Sequence, residues 1–418
     1  METNYIALSV PVFFVLIAFE LIYSVYKQLH VYRLSDAITN ISCGIGQQLT
    51  GIIFKTAIFY GYFWLYENIR FATIPSTWYW GIILFIGVDF CYYWFHRLSH
   101  QINAIWATHV VHHQSEDYNL TVALRQSWFQ GFFSSLFYLP LAIIGFDPLI
   151  TITVIAFNTL YQFWIHTELI KTMGWFEWIF NTPSHHRVHH GTNPEYIDKN
   201  HAGTLIIWDR MFGTFQKEEA KVVYGITTPL RSWNPLWANL HYWRDLFIIS
   251  HQANRFSDKL RVFFAAPGWV PAGFEKHEAS FKSNPVKFSI PLNKFQKSYV
   301  IVQFAFILAI SSLVLFTSGT ANLSEVFGLI IWCLLSIISI GLYTEQANGK
   351  VFFEAVRNFC FPIVIFFAES TFKIYLNAAL LIALISLISL CVVHQFSKKL
   401  VWFNKKSETR QMQDKRIL

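Results

Sequence analysis

The stretch STWYWGIILFIGVDFCYYWFHRLSH, residues 76–100, decides the fold class of this chain. Its apolar part, residues 76–95, is interrupted by a single charged side chain, Asp89, and has the length that a helix needs to cross a bilayer. The span runs directly into His96 and His100, whose i, i+4 spacing directs both imidazoles from one helix face. An apolar helix that ends in paired histidines predicts a metal site at the edge of a membrane.

The composition of the whole chain agrees with a membrane protein. The 418 residues are 54% hydrophobic and only 14% charged, whereas an average soluble domain is about 25% charged. The predicted apolar spans are residues 5–26, 44–66, 76–95, 128–146, 148–166, 299–317, 323–343, 351–368 and 374–394. We therefore expect an all-α integral membrane protein with about nine transmembrane or re-entrant helices.

The fourth and fifth spans meet at Asp147 and Pro148, which predicts a tight helical hairpin with Pro148 in the first turn of its second helix. This pair could be re-entrant. Span 351–368 carries Glu354 and Arg357, which is unusual inside a membrane helix.

The distribution of Lys and Arg predicts the orientation of the spans. Basic residues near cytoplasmic ends bias topology, and most of those in this chain share one side if nine spans are present. The N-terminus then lies outside, while the C-terminus and every histidine group face the cytoplasm. The net charge of +7 suits loops that face anionic lipid and requires no nucleic acid.

Three regions follow from this pattern. Residues 1–75 form an N-terminal transmembrane region, residues 76–298 hold all the clustered histidines, and residues 299–418 form a C-terminal transmembrane region with a basic tail. Within the second region, the segment 232–273 mixes aromatic side chains with cations, which favours the membrane interface. It is interpreted either as an anchoring helix or as a lip through which lipid enters.

Histidine spacing gives the strongest functional signal. Eleven of the 16 histidines lie between residues 96 and 201. Nine of them are in HRLSH (96–100), HVVHH (109–113) and HHRVHH (185–190), one is in FWIHTE (163–168), and the last is His201. One divalent ion takes about four to six protein ligands, so this many imidazoles predict two ions. The predicted ligands are His96, His100, His109, His112, His113, His166, His186, His189 and His190. His185 and His201 lie beside these groups but outside the predicted set.

Three further residues are predicted to serve the site. Asp89 precedes His96 by seven residues on the same helix face and is expected to accept a hydrogen bond from a ligating imidazole. A helix-packing hydrogen bond or an ion pair is the alternative for this carboxylate. Glu168 follows His166 by two residues, and Asn200 ends the stretch that carries the last histidine group. None of the five cysteines forms a CxxC pair, which argues against cysteine-bound metal.

The motifs HRLSH, HVVHH and HHRVHH resemble those of the fatty acid hydroxylase/sterol desaturase superfamily of membrane non-haem di-iron enzymes. Further stretches resemble its alkylglycerol monooxygenase branch, and these are SEDYNLTVALRQS (115–127), YQFWIHTELI (161–170), NTPSHHRVHHGTNPEYIDKN (181–200), AGTLIIWDRMFGTF (202–215), KVVYGITTP (221–229) and APGWVP (266–271). The resemblance is specific over residues 76–271. Two positions depart from it: Gln101 stands where the animal enzyme has Glu, and His201 where Tyr is common.

The resemblance implies a function. Members of that branch use dioxygen to hydroxylate the carbon next to the ether oxygen of an alkylglycerol lipid, and the product collapses to a fatty aldehyde and a free glycerol hydroxyl. It implies two iron ions on the nine histidines named above, which zinc could replace in purified protein, and tetrahydrobiopterin as reductant. With no haem, flavin or iron–sulfur motif in the sequence, the electron donor is external. The implied host membrane is the endoplasmic reticulum, or the inner membrane of a bacterium.

Two alternatives remain open at this point. The first is a sterol or fatty acyl hydroxylase or desaturase of the same superfamily, which keeps the chemistry and changes the lipid. The second is a metal transporter, which would place its polar residues near the bilayer midplane rather than at the ends of spans.

Overall fold

The computed structural model describes residues 5–275, 281–319 and 321–366. Over these ranges the regular elements are helices, and the prediction of an all-α fold is confirmed for them. The α-helices are α1 Tyr5–Tyr26, α2 Leu34–Ile69, α3 Trp78–Gln101, α4 Asn103–His113, α5 Gln130–Ile144, α6 Pro148–Trp164, α7 Pro183–His189, α8 Ile207–Met211, α9 Pro235–Gln252, α10 Phe256–Phe264, α11 Lys294–Thr317, α12 Leu323–Thr344 and α13 Lys350–Phe366. The last predicted span, 374–394, lies outside the described residues.

Three of the described helical segments are long and apolar enough to cross a membrane: Leu8–Tyr26 within α1, α11 and α12. The chain is therefore a membrane protein by helix length and composition, although the number of spans stays a prediction. Helices α5 and α6 have 15 and 17 residues. At about 1.5 Å per residue they are shorter than a hydrocarbon core of roughly 30 Å, which favours the re-entrant alternative for this pair.

The predicted break at Asp147 and Pro148 between α5 and α6 is confirmed, whereas tight packing of the two helices on each other is not: α5 packs against α2 and α3, and α6 mainly against α3. The Asp147 carboxylate caps α6 by accepting hydrogen bonds from the backbone N–H groups of Leu149 and Ile150, and Pro148 occupies the first turn. Gly145 ends α5 with φ of 115°, and a Cβ at this position would lie 1.8 Å from the Ala72 carbonyl oxygen. Only glycine permits both this backbone conformation and this approach.

Contacts divide the chain into two compact units, one ending at Phe288 and the other beginning at Ser289. In the first unit α2, α3, α5 and α6 pack around a core of buried side chains from α2, α3 and α5, with Phe146 just after α5. The predicted division into three regions, with boundaries after residues 75 and 298, stays a prediction.

A sharp break between α3 and α4 positions the functional residues. Only Ile102 separates the two helices, and it adopts an extended backbone conformation. Because the chain turns within one residue, the histidines of α4 return to face those at the end of α3. The start of α4 is held by Asn103, whose backbone N–H donates to the Ala265 carbonyl and whose side chain donates to the Val262 carbonyl.

In the second unit, the two charged residues predicted inside span 351–368 pair with each other. The Arg357 guanidinium donates to Glu354 at 2.6 Å, and both side chains are fully buried. Tyr299 of α11 and Ser339 of α12 also donate to the Glu354 carboxylate. A buried ion pair with these extra donors ties α11, α12 and α13 together.

Candidate metal centre

Nine buried imidazoles converge from α3, α4, α7 and the end of α6. They form two groups, and within each group the candidate ligand atoms all lie within 4.8 Å of one another. The first group contains His96, His100, His109, His113 and His189. The second group contains His112, His166, His186 and His190. The structure thus brings together all nine histidines that were predicted as ligands.

The first group has the nitrogen spacing of a shared ion. The Nε2 atom of His109 lies 3.0 Å from that of His96 and 3.2 Å from that of His113. Neighbouring ligands on one ion, with metal–nitrogen bonds of about 2.1 Å, lie roughly 3.0–3.4 Å apart. One nitrogen that faces two others at this distance cannot satisfy both with a single proton, whereas one cation satisfies all three.

The second group repeats this geometry. The Nε2 atom of His166 lies 3.2 Å from that of His112 and 3.0 Å from that of His186, and His186 lies 3.3 Å from His190 in the same way. The groups adjoin each other, since the rings of His113 and His190 stack with centroids 4.5 Å apart. Two ions held by these residues would be neighbours.

Helices α4 and α7 each contribute to both groups. Helix α4 gives His109 and His113 to the first group and His112 to the second, while α7 gives His189 to the first. The other two histidines of HRVHH, one of them just past the end of α7, go to the second group. In each motif the two histidines that are four residues apart belong to the same group. The histidine between them, three residues after the first, belongs to the other group.

Two orphaned nitrogens fit a cation. The Nε2 atoms of His100 and His189 are buried and have no hydrogen-bond partner among the described residues. A buried unpaired nitrogen costs free energy unless it finds a partner, and a metal ion supplies one. Burial also lowers the pKa of His112 to about 4 and lowers those of His109, His113, His189 and His190 well below 6.5. These five imidazoles are therefore neutral near pH 7, which is the form that binds a metal.

Backbone carbonyls orient several of these rings. The Nδ1 atoms of His96, His112 and His189 lie 2.7–2.9 Å from the carbonyl oxygens of His201, Arg125 and Lys199. Donation from Nδ1–H to a carbonyl leaves Nε2 free as the ligand atom and fixes the ring plane. Carboxylates were expected in this role, yet among the described residues one approaches a ring of the two groups only at His100, whose Nδ1 lies 3.4 Å from Asp198.

The prediction that Asp89 accepts a hydrogen bond from a ligating imidazole is wrong. Its carboxylate instead accepts four hydrogen bonds, from the backbone N–H groups of Thr204 and Leu205, from Trp208 Nε1 and from Asn158 Nδ2. One carboxylate has about four acceptor positions, and these donors occupy them. Asp89 therefore fixes the loop that follows His201, which is the alternative role of a packing hydrogen bond.

Glu168 lies beside the second group but contacts none of its imidazoles through a hydrogen bond described here. It accepts a hydrogen bond from the Tyr224 hydroxyl at 2.5 Å, and the Tyr224 ring stacks on Tyr118 at 4.8 Å between centroids. Tyr118 in turn contacts the rings of His166 and His190. Glu168 thus reaches the second group through two stacked tyrosines.

Asn200 organises the loop beneath the first group. Its side-chain NH2 donates to the carbonyls of His185 and Gln216, and its side-chain oxygen accepts from the Gln216 N–H. Both ends of the Asn200 amide are therefore hydrogen-bonded within this loop. His185 and His201 are both buried and lie outside the two groups. The His201 ring lies 5.0 Å from that of His100, and its backbone carbonyl is the partner of His96.

Three buried residues that support the site were missed by the sequence reasoning. Glu20 on α1 accepts hydrogen bonds from Tyr32, from Thr167 beside His166, and from the backbone N–H of Leu120. A glutamate within an apolar span was the available signal.

The other two are arginines within the histidine-rich part of the sequence. Arg187 donates to Glu218 and to the carbonyls of Thr167, Ile170 and Lys171, so it holds the segment that follows His166. Arg125 donates to the Val111 carbonyl and to the side chains of Asn40 and Gln114. Both are fully buried. By contrast, Gln101 is exposed at the end of α3 and belongs to neither group.

We expect acid to destabilise the metal-free protein. Burial lowers the pKa of His112 to about 4, and burial with neighbouring imidazoles lowers those of His109, His113, His189 and His190 well below 6.5. Below pH 6.5 the unfolded chain binds protons that the folded chain does not, so the free energy of unfolding falls as the pH decreases toward 4. The shift of His112 alone can lower the free energy of unfolding by roughly 3 kcal/mol at most. Thermal unfolding of chelator-treated protein between pH 8 and pH 5 measures this, and a midpoint that stays constant contradicts it.

Comparison with known proteins identifies the family to which the chain is similar. The sequence profile described as fatty acid hydroxylase matches residues 81–214. Alkylglycerol monooxygenase from Homo sapiens is 41% identical over 363 residues, which cover 85% of this chain and 81% of the relative. The Danio rerio protein of that name is 39% identical over 373 residues and the Xenopus tropicalis protein 38% over 365, each covering 85% of this chain and 80% of the relative. No solved structure matches the chain.

The matched region contains every residue of both histidine groups. The relatives span most of the chain at an identity that is ample for common descent. Two adjoining groups of buried imidazoles in a membrane protein agree with that ancestry. The chain belongs to the alkylglycerol monooxygenase family.

Proposed function

We propose that this protein is a membrane monooxygenase of ether lipids. It hydroxylates the carbon next to the ether oxygen of an alkylglycerol, placing one atom of dioxygen in the lipid and reducing the other to water with two external electrons and two protons. The hydroxylated product then releases a fatty aldehyde and a glycerol derivative. The observation that carries the proposal is the pair of adjoining histidine groups, in a chain 41% identical to an alkylglycerol monooxygenase.

The donor set fits two iron ions. His96, His100, His109, His113 and His189 would hold one, and His112, His166, His186 and His190 the other. Neutral nitrogen donors suit iron and also zinc, so purified protein can carry zinc in the same positions. Bound iron would supply the binding and activation of dioxygen, which no side chain provides.

The residues of the chain perform three tasks around those ions. The carbonyls of His201, Arg125 and Lys199 hold imidazole rings in the tautomer that leaves Nε2 free. Asp89 fixes the loop that carries the first of these carbonyls, and Asn200 fixes its neighbouring backbone. Burial of all nine rings excludes bulk water from the groups.

The electrons come from outside the chain, and the histidine groups face the cytoplasm in this proposal. The resemblance supports tetrahydrobiopterin, or another external donor, as the source of electrons. The bias of basic residues supports nine spans, with the histidine groups facing the cytoplasm and residues 76–298 as the catalytic region. The membrane would be the endoplasmic reticulum in a eukaryotic host and the inner membrane in a bacterial one.

An aldehyde-release assay tests this function. Membranes that contain the iron-loaded protein are expected to release fatty aldehyde from an alkylglycerol when dioxygen and tetrahydrobiopterin are both present, and to release none when either is withheld. The same membranes are given a sterol and a fatty acyl lipid in parallel. Hydroxylation or desaturation of one of these, without aldehyde from the ether lipid, would transfer the assignment to the other branch of the superfamily.

A further inference from the structure

Helix α10 carries a line of exposed apolar side chains on a helix that is too short to cross a membrane. Phe256, Leu260 and Phe264 follow one another at i, i+4 and i+8, and they are 74%, 51% and 73% exposed. These positions share one face of the helix. At nine residues, α10 is about 14 Å long, less than half of a hydrocarbon core.

The opposite face of α10 is buried against the metal-binding part of the fold. Val262 is fully buried and packs with Leu246 of α9 and Ala107 of α4. The outward side chains are therefore not core residues of this unit. They form a separate surface, which we call the α10 stripe: Phe256, Leu260 and Phe264.

Basic residues flank the α10 stripe. At 3.6 residues per turn, Lys259 and Arg261 lie on opposite sides of it, each about 100° from its centre. The Arg261 guanidinium also stacks over the Trp269 ring, 4.9 Å from its centroid. The acidic residue of the helix, Asp258, lies on the far side. An apolar line between two cations, with an adjoining tryptophan, matches a helix lying at the boundary between acyl chains and anionic headgroups.

We propose that α10 lies in the surface of the bilayer, with the α10 stripe among the acyl chains and Lys259 and Arg261 on anionic headgroups. The partner is a lipid surface, because cations beside the stripe complement lipid phosphates and the same chain already contains segments fit to cross a membrane.

This contact reaches the metal centre through Asn103. The Asn103 side chain donates to the Val262 carbonyl at 2.8 Å and accepts from the Tyr242 hydroxyl of α9 at 2.6 Å. Asn103 begins α4, the helix that carries His109, His112 and His113. The lipid surface is thus joined to three predicted ligands by one helix and one asparagine. This consequence rests on the proposed function, in which those three histidines bind the ions that act on an ether lipid.

Spin labelling of the full-length protein in nanodiscs tests the proposal without any turnover. A nitroxide is attached at Leu260→Cys, with the native cysteines replaced, and a matched label is placed at Glu219→Cys in an exposed, charged loop. In discs containing phosphatidylglycerol, the ratio of oxygen to water-soluble nickel collisions is expected to be on the order of tenfold higher at position 260 than at 219. Equal ratios would place the stripe in water and overturn the proposal.

Charge reversal tests the role of the cations. In the parent protein the label at position 260 is expected to be immersed more deeply in phosphatidylglycerol discs than in phosphatidylcholine discs. The double variant Lys259→Glu/Arg261→Glu is expected to lose most of this difference. The control Lys217→Glu/Lys221→Glu changes the net charge equally on a loop and should keep that difference. If both double variants behave alike, the flanking cations do not select the lipid. Because these readouts need no substrate, they can fail while aldehyde release is intact, and the reverse also holds.

Discussion

His189→Ala is expected to lower the bound iron from two ions per chain to about one and to reduce aldehyde release by more than about a hundredfold. His189 Nε2 is buried without a hydrogen-bond partner in the described part of the chain, and its Nδ1 is already held by the Lys199 carbonyl. The Lys199 carbonyl therefore fixes the orientation of the ring, and Nε2 is the nitrogen left to bind an ion. Loss of a partner outside the ligand set alone costs about 10–100-fold in metal affinity or activity, so loss of a ligand costs more.

The same change in the other group should have the same outcome. His112→Ala removes a nitrogen that lies 3.2 Å from that of His166, and the ion held by the second group is the one expected to be lost. His251→Ala is the matched control, since it removes an exposed imidazole at the end of α9. Metal analysis and aldehyde release are measured on the same preparations. Two bound ions with near-normal turnover in His189→Ala would show that this histidine is not a ligand.

Asp89→Ala is expected to lower the free energy of unfolding by at least about 3 kcal/mol. The substitution leaves four donors without an acceptor, including two backbone N–H groups and the Trp208 indole. Each buried unsatisfied donor costs roughly 1–3 kcal/mol, and relief of the buried charge offsets part of the sum. The loop 201–205 is released, so the carbonyl that orients His96 moves and activity falls with stability.

Two further variants make this test specific. Asp89→Asn keeps one acceptor oxygen and should fall between the parent and the alanine variant. Asp245→Ala removes a surface carboxylate paired with Arg244 and should change stability by less than about 0.5 kcal/mol. Thermal unfolding in detergent measures all three. A stable Asp89→Ala protein would mean that water replaces the carboxylate, and that the loop does not depend on it.

The convergence of eight of the nine histidines could be predicted because it depends on local geometry. Residues three and four apart on a helix are neighbours, so the patterns HxxxH and HxxHH predict imidazoles that lie close together without knowledge of the fold. The division of HVVHH between two groups could not be predicted, since it depends on where α7 and the end of α6 meet α4. His166 lies alone in its stretch of sequence, and only the fold brings it to His112 and His186.

The surroundings of the ligands were less predictable. Backbone carbonyls have no sequence signature, so the partners of His96, His112 and His189 were expected among carboxylates. Asp89 was assigned to a histidine seven residues away on its own helix, whereas its partners lie 69–119 residues away along the chain. Apolar spans were recognised by composition, but α5 and α6 have only 15 and 17 residues, so hydropathy did not give the lengths of these helices.

The interleaved histidines of α4 and α7 have a mechanical consequence. A helix that supplies ligands to two ions is a rigid spacer between them, because its backbone hydrogen bonds fix the positions of residues three and four apart. The separation of two ions bound by these groups would then follow from helix geometry on two sides, rather than from the connecting loops. Such a pair would keep a constant separation when a lipid approaches it.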